Sequence, residues 1–364
     1  MFRVTTLKMS LLSALATLFL LAAMLASSGT ASAHSASGCR PQQVFPPCTP
    51  SHFHDLYWSS SSEVWGYNGA TSELIDDNQI GLTNGNQVSG QFGAIVTVLA
   101  HGSNVYEVRR KQPGETSQDF LFAIVNGGCT TATGYCLTEL DDSNVNYVAA
   151  GTTGLYESRP NGVWQLTGLC MGCWTKIDNH FGLLVAGSHL YEMRIDSSPS
   201  GTTVWRYNGT PLNWTEVDNN LTGASLNLAI DTHNVLYELF QVYNHGQLAI
   251  SHVLQGHGPN NFQLVGWGHL TNKIVADRRL YEWNADGSIQ LYQGTPNNWA
   301  YIIASPTAQD VEAGASSDAV YWEPSDNSIW RYSPETGASA IVGPSSNPVQ
   351  MSQQGVLLHK FLLL

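Results

Sequence analysis

The chain has 364 residues, of which only 12% are charged, and a formal net charge of −13. That balance argues against a nucleic-acid partner, because a polyanion would meet repulsion over most of the surface and no Lys/Arg cluster offsets it. Surface polarity must come instead from the abundant Asn, Ser, Thr and Gly.

In chain order, residues 1–33 read as a secretory leader. Arg3 and Lys8 form a basic start, an apolar run follows from Leu11 to Ala26, and Ala31–Ala33 offers small residues for cleavage. The expectation is a secreted protein whose mature part begins at His34. The apolar run, at about 16 residues, is short for a membrane span, and no other stretch comes close. ASGC, Ala36–Cys39, weakly resembles a lipoprotein box, but the polar stretch Ser27–Gly38 separates Cys39 from the apolar run. Lipidation would also leave an odd thiol in an oxidising compartment. Six cysteines in an exported chain read as three local disulfides: Cys39–Cys48, Cys129–Cys136 and Cys170–Cys173. Read as half of a zinc site, Cys170 and Cys173 lack a second CxxC or a spaced His pair, so no metal or other cofactor is expected. Residues 34–55 form a disulfide-tied segment, and HFH at His52–His54 is read as an ordinary loop.

From residue 56 to 364 the sequence repeats. A Leu-Tyr unit recurs at Leu56, Val105, Leu155, Leu190, Leu236, Leu280 and Val320. An aromatic run follows it, as in VWGY at Val64, VWQL at Val163, VWRY at Val204 and IWRY at Ile329. A Trp-to-Asp run comes next, as in WTKIDN at Trp174 and WTEVDNN at Trp214. A short run of small residues then closes each unit, as in YVAAG and LLVAG. Four short runs rich in Val, Ile, Tyr and Trp, bounded by Gly, Asn and Asp, are four strands. Asn161-Gly162 and Asp286-Gly287 predict two-residue hairpins.

A four-stranded unit of about 40 to 45 residues cannot bury either face alone, so the fold class is all-β: a propeller of four-stranded antiparallel blades. Counting predicts seven blades, with six as the alternative if the unit around Phe120 is not one. The small-residue run fits the innermost strand and the Trp-to-Asp run the outermost. Val349–Ser352 would complete the first blade, while Val356–Lys360 has no place in that scheme.

The cadence of LYE, VWRYNGTP, Trp, TEVDNN and a short Ala/Gly strand resembles the tectonin-type propeller repeats of bacterial exported proteins and of animal and fungal lectins. The best-matching units span Leu155–Asn220 and Ile274–Tyr332. The resemblance implies a propeller and glycan binding, although tectonin units more usually come in sixes. It also implies a cysteine pair in the loop before the outer strand, where Cys129/Cys136 and Cys170/Cys173 lie.

Sugar binding needs flat apolar rings flanked by hydrogen-bonding side chains. Trp174, Trp214 and Trp299 open the outer runs beside Asn213 and Asn298, and would line one rim of the ring. The competing reading is interblade packing, since every blade has the same gap to fill; Trp65, Trp164, Trp205 and Trp330 are read as core on that argument. Glu157, Glu192 and Glu282, with Glu107 and Glu238, repeat mid-strand and must be paired or solvated. In one hairpin register Glu157 shares a face with Trp164, which suits a sugar pocket. In the other it meets Gln165, and Glu192 meets Arg206, which suits a structural bond.

The expected function is noncatalytic, lectin-like recognition of glycans by several similar sites, with a protein-binding or envelope-scaffold propeller as the alternative. Enzyme readings find less support. DGSIQ at Asp286 and SDNSIW at Ser325 match the sialidase turn incompletely, without an arginine cluster, and a copper brace at His34 would need a different fold.

Overall fold

The computed structural model describes residues 54–352 except 61, 77–80, 83–91, 102–103, 112–118, 127–134, 144, 169, 171, 196–201, 220–222, 245–246, 257–260, 304–307, 315–316 and 344–349. Residues 1–33, read as a leader, the expected partners Cys39 and Cys48, Cys129 and Val356–Lys360 lie outside the described residues. Cys136 falls within an outer strand, Tyr135–Asp141, but its side chain is not among those described.

Seven antiparallel sheets follow one another round a closed ring. From the inner to the outer strand, blade 1 comprises Gln350–Ser352, Leu56–Ser59, Val64–Tyr67 and Ser72–Asp76. Blade 2 comprises Phe92–His101, Asn104–Lys111, Asp119–Asn126 and Tyr135–Asp141, with Gly81–Leu82 added in parallel at its outer edge. Blade 3 runs through Tyr147–Gly151, Gly154–Arg159, Gly162–Leu166 and Trp174–Lys176; blade 4 through Gly182–Ala186, Leu190–Ile195, Thr202–Tyr207 and Trp214–Asn219. Blade 5 runs through Gly223–Ile230, Leu236–Asn244, Gln247–Gly256 and Phe262–His269; blade 6 through Thr271–Ala276, Leu280–Asn284, Ile289–Tyr292 and Trp299–Ile303. Blade 7 runs through Asp310–Ala313, Val320–Glu323, Ile329–Ser333 and Ala338–Gly343. The count is seven, and Phe120 sits in the third strand of a complete blade. No helix occurs among the described residues.

The small-residue runs are the innermost strands because blades crowd at the axis. Each of these strands touches its counterparts in the neighbouring blades. Burial explains why one unit cannot stand alone. Ala149, Tyr156, Val163 and Ile177 of blade 3 form one cluster with Leu184, Ala186, Leu190 and Tyr207 of blade 4. Every seam round the ring is built in the same way. The apolar face of each sheet is removed from water only by the next sheet.

The ring closes by exchange. Gln350–Ser352 pairs with Leu56–Ser59, joining strands far apart in sequence and covering an edge that would otherwise offer unpaired backbone groups. Asp55 extends the closure by accepting hydrogen bonds from the hydroxyls of Ser317 and Tyr321 in blade 7.

The hairpins differ from expectation. Arg159 pairs with Gly162, so the first turn is Pro160-Asn161. The second is longer: the Asn284 N–H meets the Ser288 carbonyl at 2.9 Å, with Gly287 left-handed at φ 85°. A three-residue loop ending in a left-handed glycine is the next commonest hairpin solution.

Met351 is 2% exposed and lies in the closing seam with Leu56, Trp58 and Tyr321. Met351→Ala should lower unfolding free energy by about 2 to 4 kcal/mol in urea titration. An unchanged midpoint would mean that the ring does not depend on this strand.

Candidate functional site

Where the outer strand meets the third, it carries an extra residue. In blade 3 the N–H groups of both Ile177 and Asp178 point to the Val163 carbonyl, at 2.8 and 3.2 Å. The same shift occurs in blades 1, 2 and 4, at Ile75, Leu140 and Val217. A bulge leaves one residue out of the ladder and re-aims its neighbour. In blades 1 to 3 it does both: the extra residue's apolar side chain is buried, and the aspartate after it, Asp76, Asp141 or Asp178, turns into the seam with the next blade.

The bulged carbonyl finds its partner across the seam. Trp174 Nε1 donates to the Leu140 carbonyl at 2.9 Å and Trp214 Nε1 to that of Ile177 at 3.0 Å. Trp299 Nε1 likewise donates to the Val265 carbonyl at 3.2 Å. At the closing seam Ser72 Oγ takes the tryptophan's place on Val342. All three outer-strand tryptophans are therefore half-buried interblade staples. Trp65, Trp164, Trp205 and Trp330, expected to be core, are also only half-buried.

The re-aimed aspartates meet arginines. In blade 4, Arg194 lies between the rings of Trp205 and Trp214, 4.3 and 5.4 Å from their centroids, and binds both Glu192 and Asp178. Arg159 repeats this between Trp164 and Trp174 with Glu157 and Asp141. Arg109 holds Glu107 and Asp76. Glu157 does share a face with Trp164, and Glu192 with Trp205. Yet the partner of Glu192 is Arg194, two residues along its own strand, and not Arg206. Glu157 and Glu192 are 0% exposed and Glu282 3%, the last bonded through Thr271 in a seam without an arginine. These carboxylates face neighbouring side chains rather than solvent.

Two acids around one guanidinium leave a dry cluster one charge short, and a proton resolves it. Burial pushes Glu192 up to about 8, and its hydrogen bond with Asp178 adds to the rise. Burial also pushes Asp178 up, but the bond from Glu192 and the Arg194 charge overcome it and hold Asp178 below the usual range. Glu157 and Glu107 rise to about 8 by burial as well.

Above this layer, blades 3 and 4 part into an open cleft of about 480 Å³. Tyr156, Gln165, His189, Arg206, Tyr207 and Asn208 line it, together with Thr153 and Ser188. Tyr156 donates to Thr153 Oγ1 at 2.8 Å, and Gln165 Nε2 lies 3.4 Å from the Tyr156 hydroxyl. Tyr207 packs on Trp214 with centroids 5.1 Å apart. Asn208 bonds Asn213 and Thr215 at 3.0 and 2.9 Å. Trp214 and Asn213 thus stand directly behind the cleft wall. Trp174 and Trp299 belong to other seams, and Asn298 is bonded within its own loop to Thr295.

The tyrosine of each Leu-Tyr unit faces Gly66, Ala123, Gln165, Arg206, Gln255, Leu291 or Arg331 on the third strand, a position at which glutamine and arginine each occur twice. Sequence reading named Gln165 and Arg206 at this position, as possible partners of Glu157 and Glu192. The described cysteines Cys170 and Cys173 form a disulfide in the loop before the outer strand of blade 3.

No family model and no curated protein matches the chain. Solved structures do. The tricorn protease aligns over 82% of this chain and 34% of its own at 11% identity, with a TM-score of 0.53. A GH74 xyloglucanase from Xanthomonas campestris aligns over 83% of this chain and 53% of its own at 10% identity, TM-score 0.52. A quinonprotein alcohol dehydrogenase-like protein from Bacteroides thetaiotaomicron aligns over 82% and 77% at 12% identity, TM-score 0.50. The chain thus spans about a third and about half the length of the first two. At such identities the likeness is one of fold.

A carboxyl whose pKa rises on folding contributes stability that is complete below its unfolded value and is lost as pH rises through the folded one. Between pH 5 and pH 9 the thermal midpoint should therefore fall. Glu192→Gln, which mimics the protonated acid, should flatten that slope and gain about 1 to 2 kcal/mol at pH 8.5 relative to wild type. A parallel slope in the variant would show that Glu192 is ionised in the fold.

Proposed function

We propose that the chain is an exported, noncatalytic saccharide-binding propeller whose principal site is the cleft between blades 3 and 4. The observation that carries this reading is the cleft's lining: an amide, an imidazole and hydroxyls that can bond sugar hydroxyls, set around the edges of Tyr156 and Tyr207, which are 1% and 6% exposed. The leader-like residues 1–33 and the Cys170–Cys173 disulfide support export. The tectonin-like cadence supports glycans as the ligand class. The glutamate–arginine clusters support a noncatalytic role, because glycoside hydrolysis needs two carboxyl groups that reach the sugar.

A second reading, a protein-binding propeller, is favoured by a different surface. Leu264, Trp267, Leu270 and Tyr301 are 38%, 55%, 46% and 60% exposed on or beside the outer strands of blades 5 and 6. On the first reading, a glycan array retains the protein, and calorimetry with the selected sugar gives a stoichiometry near one. Gln165→Ala and His189→Ala each weaken binding about 3- to 10-fold with unchanged melting temperature. Retention lost on Trp267→Ala but untouched by both cleft variants would move the site to the outer wall.

A further inference from the structure

We propose that the seam of blades 5 and 6 binds a hard metal cation in the size range of sodium and calcium, through Glu282, Asn284, Gln290 and Thr271. The site lies away from the cleft and does not depend on the saccharide reading. The cysteine spacings argue against a metal held by sulfur, and these donors are oxygens.

Three seams carry their cation on the chain itself. Arg109, Arg159 and Arg194 each stand two residues after the recurring glutamate and bind it together with an aspartate from the preceding blade. In the last two, the guanidinium lies over the tryptophan opposite that glutamate, Trp164 or Trp205. Blade 6 keeps the glutamate, Glu282, and changes what surrounds it. Asn284 stands in the arginine's place and Gln290 in the tryptophan's. The residue after the bulge of blade 5 is Gly266 rather than an aspartate, and a side chain there would come within 2.9 Å of the Trp299 ring.

These replacements are not the ones found where a glutamate has only a hydroxyl for company. Blade 5 has Phe240 and Leu254 at the two positions, and its Glu238 is bonded by Ser225. Blade 6 has two amides instead, each with an oxygen to offer. Glu282, Asn284 and Gln290 are 3%, 3% and 2% exposed. All face one seam, because Glu282 and Asn284 are two apart on one strand, Gln290 lies opposite Glu282, and Thr271 lies opposite Asn284. Thr271 Oγ1 is 3.5 Å from Glu282 Oε2 and 3.3 Å from Asn284 Oδ1. Those separations are long for O–H···O hydrogen bonds. They match neighbouring oxygens around one cation, which at bonds of about 2.4 Å stand about 3.4 Å apart.

Two buried atoms are left over. Glu282 Oε1 and Gln290 Nε2 have no hydrogen-bond partner among the described residues, and they do not bond each other although the register sets them face to face. Turning the Gln290 amide over presents its oxygen beside that of Glu282. The seam then offers a carboxylate, two amide carbonyls and a hydroxyl, the oxygen set that hard cations take, with water to complete the shell. Burial pushes Glu282 up to about 7, and the only charged group acting on it is another acid, Asp286. No described cation neutralises this carboxylate, as an arginine does in the seams before it.

The test is thermal unfolding of the full chain at about pH 8 and fixed ionic strength, with choline chloride as the baseline and sodium or calcium chloride replacing it. Wild type should melt at least about 2 °C higher in one of the metal salts, with a response that saturates. Glu282→Gln should abolish the response, whereas Gln165→Ala, in the cleft, should keep it. A response to sodium, to calcium or to both supports the site, and the salt that acts gives the charge it accepts. Equal midpoints in the three salts overturn the inference. A rise that survives Glu282→Gln also overturns it, because the cation then sits elsewhere. Each comparison is made between salts for one protein, so a lower stability of the variant does not blur it. Gln290→Leu, which removes a ligand and no charge, gives a second reading if Glu282→Gln does not fold: the half-saturating concentration should rise, and an unchanged value would count against the site.

Discussion

A bulge in the outer strand sets the terms for much of this ring. Apolar burial alone does not fix how one sheet lies on the next, because any overlap of two greasy faces is favourable. The extra residue at Leu140 or Ile177 changes that. Its carbonyl leaves the ladder of its own blade and must be satisfied, and the nearest donor is the indole of the following blade. One backbone irregularity thus converts a nondirectional contact into one with a register. Leu212 shows how firmly the register is held. Its N–H also reaches the Ile177 carbonyl at 2.8 Å, and the residue accepts a left-handed φ of 63° to do so.

The charged layer beneath follows from the same bulge, because turning the aspartate inward brings a second acid to an arginine already paired with glutamate. The planar guanidinium suits the place: it can lie between two indole rings while its edge bonds two carboxylates. Where the arginine is absent, the chemistry is replaced rather than lost. Phe240 stands at its position in blade 5, and Glu238 is bonded by Ser225 instead. At the seam of blades 6 and 7 the cation comes from the inner strand, where Lys273 meets Asp310 and Glu312. Three seams thus share one Glu–Arg–Asp arrangement, and the seams of blades 4 to 7 satisfy their buried acids by other routes.

Much of the fold was legible because repetition exposes what packing demands. Leu-Tyr, the aromatic run and the small-residue run recur at the strands they were assigned to, and Gln350–Ser352 completes blade 1. The pairings that need atomic register were less legible. Glu192 and Arg194 lie two apart on one strand, hence on one face, but nothing in the sequence says that Asp178 arrives from the neighbouring blade until the bulge is known. The tryptophans were legible only in part. Their regular placement left a sugar rim and interblade packing both open, and Trp174, Trp214 and Trp299 each donate across a seam. The candidate cleft was hidden for a different reason: Thr153, Ser188 and His189, which help to line it, lie between strands and outside the recurring runs.

The exchange between Gln350–Ser352 and Leu56–Ser59 also orders events during synthesis. Leu56–Ser59 leaves the ribosome well before its inner neighbour Gln350–Ser352, so blade 1 must wait, short of one strand, while the other six are made. Closing so long a loop carries a large entropic cost that only the finished stack can offset. Until then the edge of Leu56–Ser59 is open to any strand that passes, including the same segment of a neighbouring nascent chain on a polysome. The interaction that makes the ring permanent is therefore the one most exposed to error while the ring is being made.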